Sequence, residues 1–415
     1  MTEPTPVTRA SKRAAKSAPV QSLRHARSGK RSKRMGWLGF TGLVLAVLLV
    51  SATSVTAIAV WDVAQSTKTV KLADKIPSIG EIEGGFNVLL VGSDTRKGQS
   101  FRYGADPGSE LNDVNILVHV SKNHQNVTVV SIPRDMVVPM ADCPGGGGGW
   151  TGPINAVLSD GGLPCVVLTV QELTGLKIPY AGLVTFDGVV DMSTAVGGVE
   201  VCVGSAIEDP YTKLKLSAGM HTLSGMAALK FLRTRHGVGD GSDLGRISNQ
   251  QIFLSALMRK VKSDSVLTNP LALYSLAKAV TSNMTLSTSL NSPDVLVAMA
   301  MALKNVDLKN VVFVQYPGTT GGTGVYSGKV QPDFAAADQL FTALAQDRAV
   351  TITGGLGRAS ETGKAPKPTA TPTPKASASK KATPTPTPTA TQKAVELDGS
   401  ITGQSADQFT CSVGN

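Results

Sequence analysis

The 415-residue sequence predicts an α/β fold, with a mixed central β-sheet covered by helices in an α-β-α arrangement and one transmembrane helix ahead of it. Three observations carry this. Short β-rich apolar runs alternate with helical patterns between about 80 and 350. No charge occurs in the 27 residues Met35–Trp61. The net charge of +10 is concentrated outside the α/β region. Hydrophobic residues at 41% and charged residues at 17% exclude a chain that is disordered or coiled coil throughout.

The elements follow in order. Residues 1–35 hold ten basic residues and one acid, Glu3, a basic cytoplasmic tail. Residues 36–61 are long enough to cross a bilayer, with Trp37 and Trp61 near the interfaces. The apolar stretch exceeds the h-region of a cleaved signal peptide, about 7–15 residues. The basic cluster then places the N-terminus in the cytoplasm and the rest of the chain outside, first as a stalk over 62–84. Phe86–Val91 reads as a buried strand, and Val114–Val120 and Val127–Ile132 as a hairpin-like pair. A helix over Val166–Leu173, a strand over Ile178–Phe186, a helix over Gly188–Val196 and a strand over Val199–Val203 follow. Ser224 is the expected N-cap of an amphipathic helix, Ser224–Arg235. Helices are expected over Ser242–Lys262, Pro270–Ser282 and Ser292–Leu303, then a strand, Val311–Gln315, and a helix, Phe334–Gln346. The main domain is thus expected over 85–350, with a helical extension. Residues 361–393, with seven prolines and six lysines, read as an extended linker, and 394–415 as a C-terminal tail.

Residues 62–360 carry a net charge of −1, so a broad nucleic-acid face is not expected. The four cysteines, Cys143, Cys165, Cys202 and Cys411, all follow the apolar span, as suits two disulfides in an exported chain. Three pairings are open, with free or mispaired thiols as the alternative. Cys143 and Cys165 bracket a Gly-rich loop and form the natural local pair, which leaves Cys202 with Cys411. The glycines Gly145–Gly149 read as flexible loop filler rather than a phosphate cradle.

No Walker loop, GxSxG, HExxH or strand–helix GxGxxG is present. What stands out is Asp and Arg at element ends: Asp94 and Arg96, Asp113, Arg134 and Asp135, Arg233 and Arg235, then Asp243, Arg246 and Gln250. Arginine grips phosphate oxygens in pairs and stays charged, while two carboxylates can hold Mg²⁺. Several Arg around two Asp therefore suggest a pyrophosphate. Each residue has an ordinary alternative. Arg134–Asp135 could be a surface pair, Arg233 and Arg235 a favourable helix C-terminus, and Asp243 a helix-start cap or an ion-pair partner.

The collinear segments NVLLVGSDTR, NDVNILVHV, VTVVSIPRDM, INA, AVGGVEVCV, LSAGMHTLSGMAALKFLRTRHG and DLGRISNQQIFL resemble the LytR–CpsA–Psr family, of actinobacterial type, over about 85–260. The resemblance implies a membrane-anchored phosphotransferase. Its donor would be a glycopolymer on an undecaprenyl-pyrophosphate carrier, its acceptor the muramic acid 6-hydroxyl of peptidoglycan, with pyrophosphatase as a side activity. It implies a polyprenyl tail buried between sheet and helices. It implies Mg²⁺ (or Mn²⁺) on Asp94 and Asp113, and pyrophosphate gripped by Arg134, Arg233 and Arg235 with support from Asp243, Arg246 and Gln250. Arg96 and Asn155 are the remaining expected contacts, and no general base is assigned. The expected partners are the lipid-linked glycopolymer, peptidoglycan and the cytoplasmic membrane, with no nucleic acid. Two positions depart from the family pattern: Leu111 stands for an arginine and Pro153 for a lysine. The departures favour a second reading, a non-catalytic envelope protein that binds polyprenyl phosphate or wall polymer. A DNA-binding regulator is disfavoured because the span directly follows the basic segment.

Overall fold

The computed structural model describes residues 67–72, 84–99, 103, 108, 110–144, 146–262, 270–291, 293–364 and 393–415. The expected basic tail, transmembrane helix, most of the stalk and nearly all of the linker lie outside the described residues.

The strands are β1 (Lys68–Val70), β2 (Phe86–Ser93), β3 (Asn112–Val120), β4 (Val127–Ile132), β5 (Val137–Pro139), β6 (Thr151–Pro153), β7 (Tyr180–Val184), β8 (Val199–Val203), β9 (Ile207–Asp209) and β10 (Leu214–Leu216). They continue with β11 (Gly219–Leu223), β12 (Met284–Ser287), β13 (Val311–Gln315), β14 (Gly318–Thr320), β15 (Val330–Pro332), β16 (Val350–Thr351), β17 (Ser360–Thr362), β18 (Val395–Glu396), β19 (Gly403–Ser405) and β20 (Thr410–Ser412). The helices are α1 (Val157–Thr174), α2 (Phe186–Ala195), α3 (Gly225–Arg233), α4 (Asp243–Lys262), α5 (Pro270–Asn283), α6 (Pro293–Lys304) and α7 (Phe334–Ala345).

The expected mixed α/β architecture is present. An eight-stranded sheet runs β1-β12-β7-β2-β3-β4-β13-β19. Its β7–β2, β4–β13 and β1–β12 pairs are parallel and the others antiparallel. Strand alternation sends Leu89, Val91 and Leu117 to one face, against Val166 and Val170 of α1 and Leu340 and Leu344 of α7. Phe86, Ile116 and Val129 go to the other face, against Val295 and Met299 of α6.

Several expectations are corrected. The Val199–Val203 strand belongs to a separate four-stranded sheet, β11-β8-β20-β17, because β11 pairs with it as a hairpin. Part of the stalk is an edge strand of the central sheet, β1 beside β12. The C-terminal tail is built into the fold. β19 extends the central sheet from β13, and β20 is inserted between β8 and β17. Both expected disulfides are formed, Cys143–Cys165 and Cys202–Cys411, and the second fastens β20 to β8.

Locally, Ser224 sits at the N-cap of α3, but its hydroxyl makes no capping bond. The Gly225 N–H is satisfied instead by Ser193 Oγ of α2, 2.9 Å away. The strand expected to reach Phe186 ends at Val184, because Thr185 caps α2 by accepting from Gly188 N–H. The Gly-rich loop is no filler. Gly148 has φ +83°, and a Cβ there would lie 1.7 Å from Ala141 O, so the tight β5–β6 turn requires glycine. Ile154–Thr174, spanning α1, is apolar and long enough to cross a membrane, but Cys165, Val166 and Val170 bury it in the core, and it kinks at Gly161–Gly162.

Candidate active site

The predicted polar residues gather at the ends of β2, β3 and β4 and the start of α4. A register shift at Gly92/Ser93 ends the β2–β3 ladder. Beyond it Asp94 is clamped to the approach to β3. Its N–H donates to Leu111 O at 3.0 Å, and its Oδ1 accepts from Leu111 N–H at 2.7 Å. Leu111 therefore serves through its backbone. Asn112 is fully buried. Its Nδ2 donates to Ile154 O at 3.0 Å and its Oδ1 accepts from Leu158 N–H at 3.1 Å, which ties the start of α1 to β3.

Asp113 then faces the arginines. Arg134, in the turn after β4, donates to Asp113 Oδ1 at 2.7 Å and lies 3.6 Å from Asp243 and 3.8 Å from Asp135. Arg246 pairs with Asp243 at 2.6 Å, approaches Asp113 Oδ2 at 4.0 Å, and donates to Asp113 O at 2.8 Å. Asp243 and Arg246 are only 6% and 5% exposed, so this is a buried network whose charges hold each other in place. Burial alone would lower the Arg134 pKa, but Asp113, Asp243 and Asp135 outweigh it and raise it. Asn155 supports the turn from its backbone, donating to Arg134 O at 3.1 Å.

Arg233, the last residue of α3, differs. Among the described residues no carboxylate forms an ion pair with it, and its guanidinium lies 4.3 Å over the Phe186 ring. Burial lowers its pKa, and the nearby charges of Arg96 and Arg246 lower it further against the opposing pull of Asp113. This cation is thus short of negative charge. Gln250 Nε2 donates to Leu232 O at 3.0 Å, and Asn249 Nδ2 to Phe231 O at 2.6 Å. Two neighbours on α4 therefore satisfy carbonyls at the C-terminal end of α3 and orient Arg233. Arg235 points elsewhere. Its guanidinium lies 3.4 Å from His236 Nε2, on the outer side of the loop.

A cavity of about 340 Å³ opens beside this network. Its wall is apolar, with Leu90, Val114 and Ile116 from the sheet and Val189, Leu229 and Leu254 from the helices. Polar groups converge at one end: Asp113, Arg233, Arg246 and Gln250. An apolar cavity with convergent charges at its mouth suits an amphiphile with an anionic head.

The expected metal site is a pair of carboxylates. Among the described residues no group of three or more His, Cys, Asp or Glu could hold an ion. Asp94 is raised above the ordinary carboxylate value by burial and by the charge of Asp113. One Asp94 oxygen is engaged by Leu111, while Asp113 is shared with two arginines. The pair offers carboxylate oxygens, the donor type of Mg²⁺, which commonly takes one or two carboxylates and completes its shell with water and phosphate.

Sequence reasoning missed three contributors. Asp209, 1% exposed, accepts from Thr234 Oγ1 at 2.6 Å and Arg235 N–H at 3.0 Å, fixing the arginine loop. Its place before Pro210 is a turn signal that could have found it. Phe186 carries Arg233 on its ring. Lys329 lies 3.6 Å from Asp135, with β15 adjoining Met136 on the side opposite Ile154. No local signal points to Lys329. It supplies a cation beside Asp135.

The chain is similar to several known proteins. Cell wall biosynthesis protein LcpA of Corynebacterium glutamicum is 30% identical over 279 residues, which cover 60% of this chain and 53% of that protein. A Bacillus subtilis protein named polyisoprenyl-teichoic acid–peptidoglycan teichoic acid transferase TagT is 32% identical over 205 residues, 48% of this chain and 58% of that one. The chain thus spans about half the length of the curated relatives it matches. A Streptococcus agalactiae crystal structure shares the fold, with a TM-score of 0.56 at 23% identity, covering 66% of this chain and 91% of that one. The LytR-Csp2A-Psr enzyme of Actinomyces oris does so with a TM-score of 0.51 at 23% identity, covering 67% and 95%. The model of the LytR_cpsA_psr family matches residues 50–346, from before the central sheet to the end of α7, and the chain belongs to that family.

Proposed function

We propose that the protein is a membrane-anchored phosphotransferase that moves a glycopolymer from a polyprenyl-pyrophosphate carrier to peptidoglycan. The observation that carries this is Arg233: a partly buried guanidinium without a carboxylate partner among the described residues, at the charged mouth of an apolar cavity. An anionic head group would complete its charge, and an isoprenoid chain would fill the space behind. Relatives that carry transferase names for polyisoprenyl-linked wall polymers support the same class of donor.

In this reading the lipid tail enters between β2, β3 and β7 and the helices. The pyrophosphate rests on Arg233 and Arg246, with Arg134 behind them. The acceptor hydroxyl oxygen bonds to the glycan-side phosphorus and gives its proton to water. The bridging P–O bond breaks and its electron pair leaves with the lipid monophosphate. The arginines stabilise charge gathering on the bridging oxygen, and the buried Asp113–Arg134–Asp243–Arg246 network keeps them from reorganising during reaction. Asp94 and Asp113 would hold Mg²⁺ (or Mn²⁺), which would supply further neutralisation of the leaving oxygens. Water in place of the sugar hydroxyl would give the pyrophosphatase side reaction. Residues 36–61 would anchor the chain as a single pass, N-terminus inside, with the domain beyond the membrane.

The test is turnover of a polyprenyl-pyrophosphate analogue by the full chain in detergent micelles with Mg²⁺. Arg233→Ala should lower lipid-phosphate release by about 10²–10³, in the range of losing one preorganised donor to a developing oxyanion. Unchanged release by this variant would remove the assignment. Binding of the analogue without turnover by the unaltered chain would favour the non-catalytic reading suggested by Leu111 and Pro153.

A further inference from the structure

Beyond the cavity mouth the arginine loop carries a second feature. Tyr211, at the tip of the β9–β10 hairpin, is 78% exposed, and its ring stacks on His236 with centroids 4.3 Å apart. His236 follows Arg235, whose guanidinium reaches its ring nitrogen. A single exposed aromatic is ordinary on a protein surface. This one is held rigidly.

Buried Asp209 accepts four hydrogen bonds: from Tyr211 N–H at 2.9 Å, Thr212 N–H at 3.2 Å, Thr234 Oγ1 at 2.6 Å and Arg235 N–H at 3.0 Å. One carboxylate thus ties the hairpin tip to the loop that follows Arg233. Ile207 and Leu214 anchor the hairpin's base in the core, and Lys230 Nζ donates to Lys213 O at 3.1 Å. From the other side Asn415 Nδ2 donates to His236 O. The aromatic pair is preorganised, and with one side of its ring on His236 the other remains open.

We infer that the Tyr211–His236 pair, with Arg235, is a carbohydrate subsite that takes a pyranose ring of a glycan beside the phosphate site. An aromatic face matches the C–H face of a pyranose, while Arg235 and the tyrosine hydroxyl offer polar partners to the hydroxyl rim. A hydrocarbon surface is a poorer match. The same hairpin and loop carry charged residues, Arg235, Lys213 and the Glu208–Lys215 ion pair, rather than further exposed apolar ones. Preorganisation matters because little ordering entropy remains to be lost on binding. The inference rests on the glycopolymer reading for its ligand class, and it gives Arg235 a role separate from Arg233.

The experiment measures binding of a soluble N-acetylglucosamine–N-acetylmuramic acid oligosaccharide to the full chain in detergent micelles, by calorimetry and by shifts of the Tyr211 ring resonances. Tyr211→Ala should weaken binding about tenfold, equal to about 1.4 kcal/mol, and Tyr211→Phe should keep most of it. Equal affinity in Tyr211→Ala and the unaltered chain overturns the subsite. So does loss of anionic-vesicle binding in Tyr211→Ala with oligosaccharide binding intact, which would make Tyr211 a membrane contact. If the unaltered chain binds the oligosaccharide through Tyr211 yet never turns over a lipid-pyrophosphate donor, the subsite stands and the transferase reading falls.

Discussion

The two faces of the central sheet are made from the same strands and end in opposite states. On one face Leu89, Val91, Leu117 and Val130 close against α1 and α7, all fully buried. On the other, Leu90, Val114 and Ile116 from those same strands line an open cavity. The side chains are of one kind on both sides. The difference lies in what faces them. A disulfide, Cys143–Cys165, draws α1 against the loop that follows β5, so one layer is sealed. Opposite, α2, α3 and α4 stand around a space that their own side chains do not fill. A folded protein that leaves apolar wall uncovered forgoes dispersion contacts, which suits a site reserved for an apolar ligand.

Substitutions can break this contrast. The largest effect should come at the cavity mouth, where Arg233→Ala removes lipid-phosphate release by the margin given above while the melting temperature holds. Arg235→Ala should cost far less, because its side chain turns to His236. Next, Leu117→Ala on the sealed face should destabilise by about 2–5 kcal/mol, read from denaturant unfolding. Val189→Trp on the open face should do the reverse. The indole fills existing space, stability stays near the parent, and binding of a polyprenyl-phosphate analogue falls. A large stability loss in Val189→Trp with analogue binding intact would show the cavity to be ordinary packing slack.

The smallest effect concerns pH. Burial raises the Asp209 carboxyl, but hydrogen bonds from Thr234, Arg235, Thr212 and Tyr211 outweigh it and hold the value below the ordinary one. A depressed carboxylate stabilises the fold above its unfolded pKa, and that contribution is lost as pH falls through the folded value. Acid titration of stability should therefore be flatter in Asp209→Asn than in the parent. An identical acid limb would show that Asp209 is not what holds the hairpin to the arginine loop.

Much of the element order was legible in the residues. β4 and β13 match their expected bounds, because short β-rich runs bounded by turn residues leave little choice. Most helix ends drifted by a residue or two, as ends set by caps and tertiary partners do, but the helix expected over Val166–Leu173 already begins at Val157. Ser224 shows why. The residue type was right for a cap, and the capping bond came from Ser193 on a neighbouring helix. The Asp and Arg pattern pointed to the site, and Asp113, Arg134, Asp243 and Arg246 do converge. Nothing local distinguished Arg233 from Arg235, which are two residues apart across the C-terminal end of α3 and face different surroundings. Lys329 and the tail strands were beyond reach for the same reason: their partners are far away in sequence.

The sequence by itself determined the class of fold, the separation of a basic N-terminal segment from a near-neutral domain, and the presence of a set of Asp and Arg at element ends. These depend on residue type and spacing, which short-range sterics and solvation read directly. Tertiary structure decided that Arg233 has no carboxylate partner among the described residues, which face of the sheet stays open, and that the last residues complete two sheets. Those depend on which distant groups share a small volume. There, burial and opposite charge fix one arrangement only after the whole chain has closed around it.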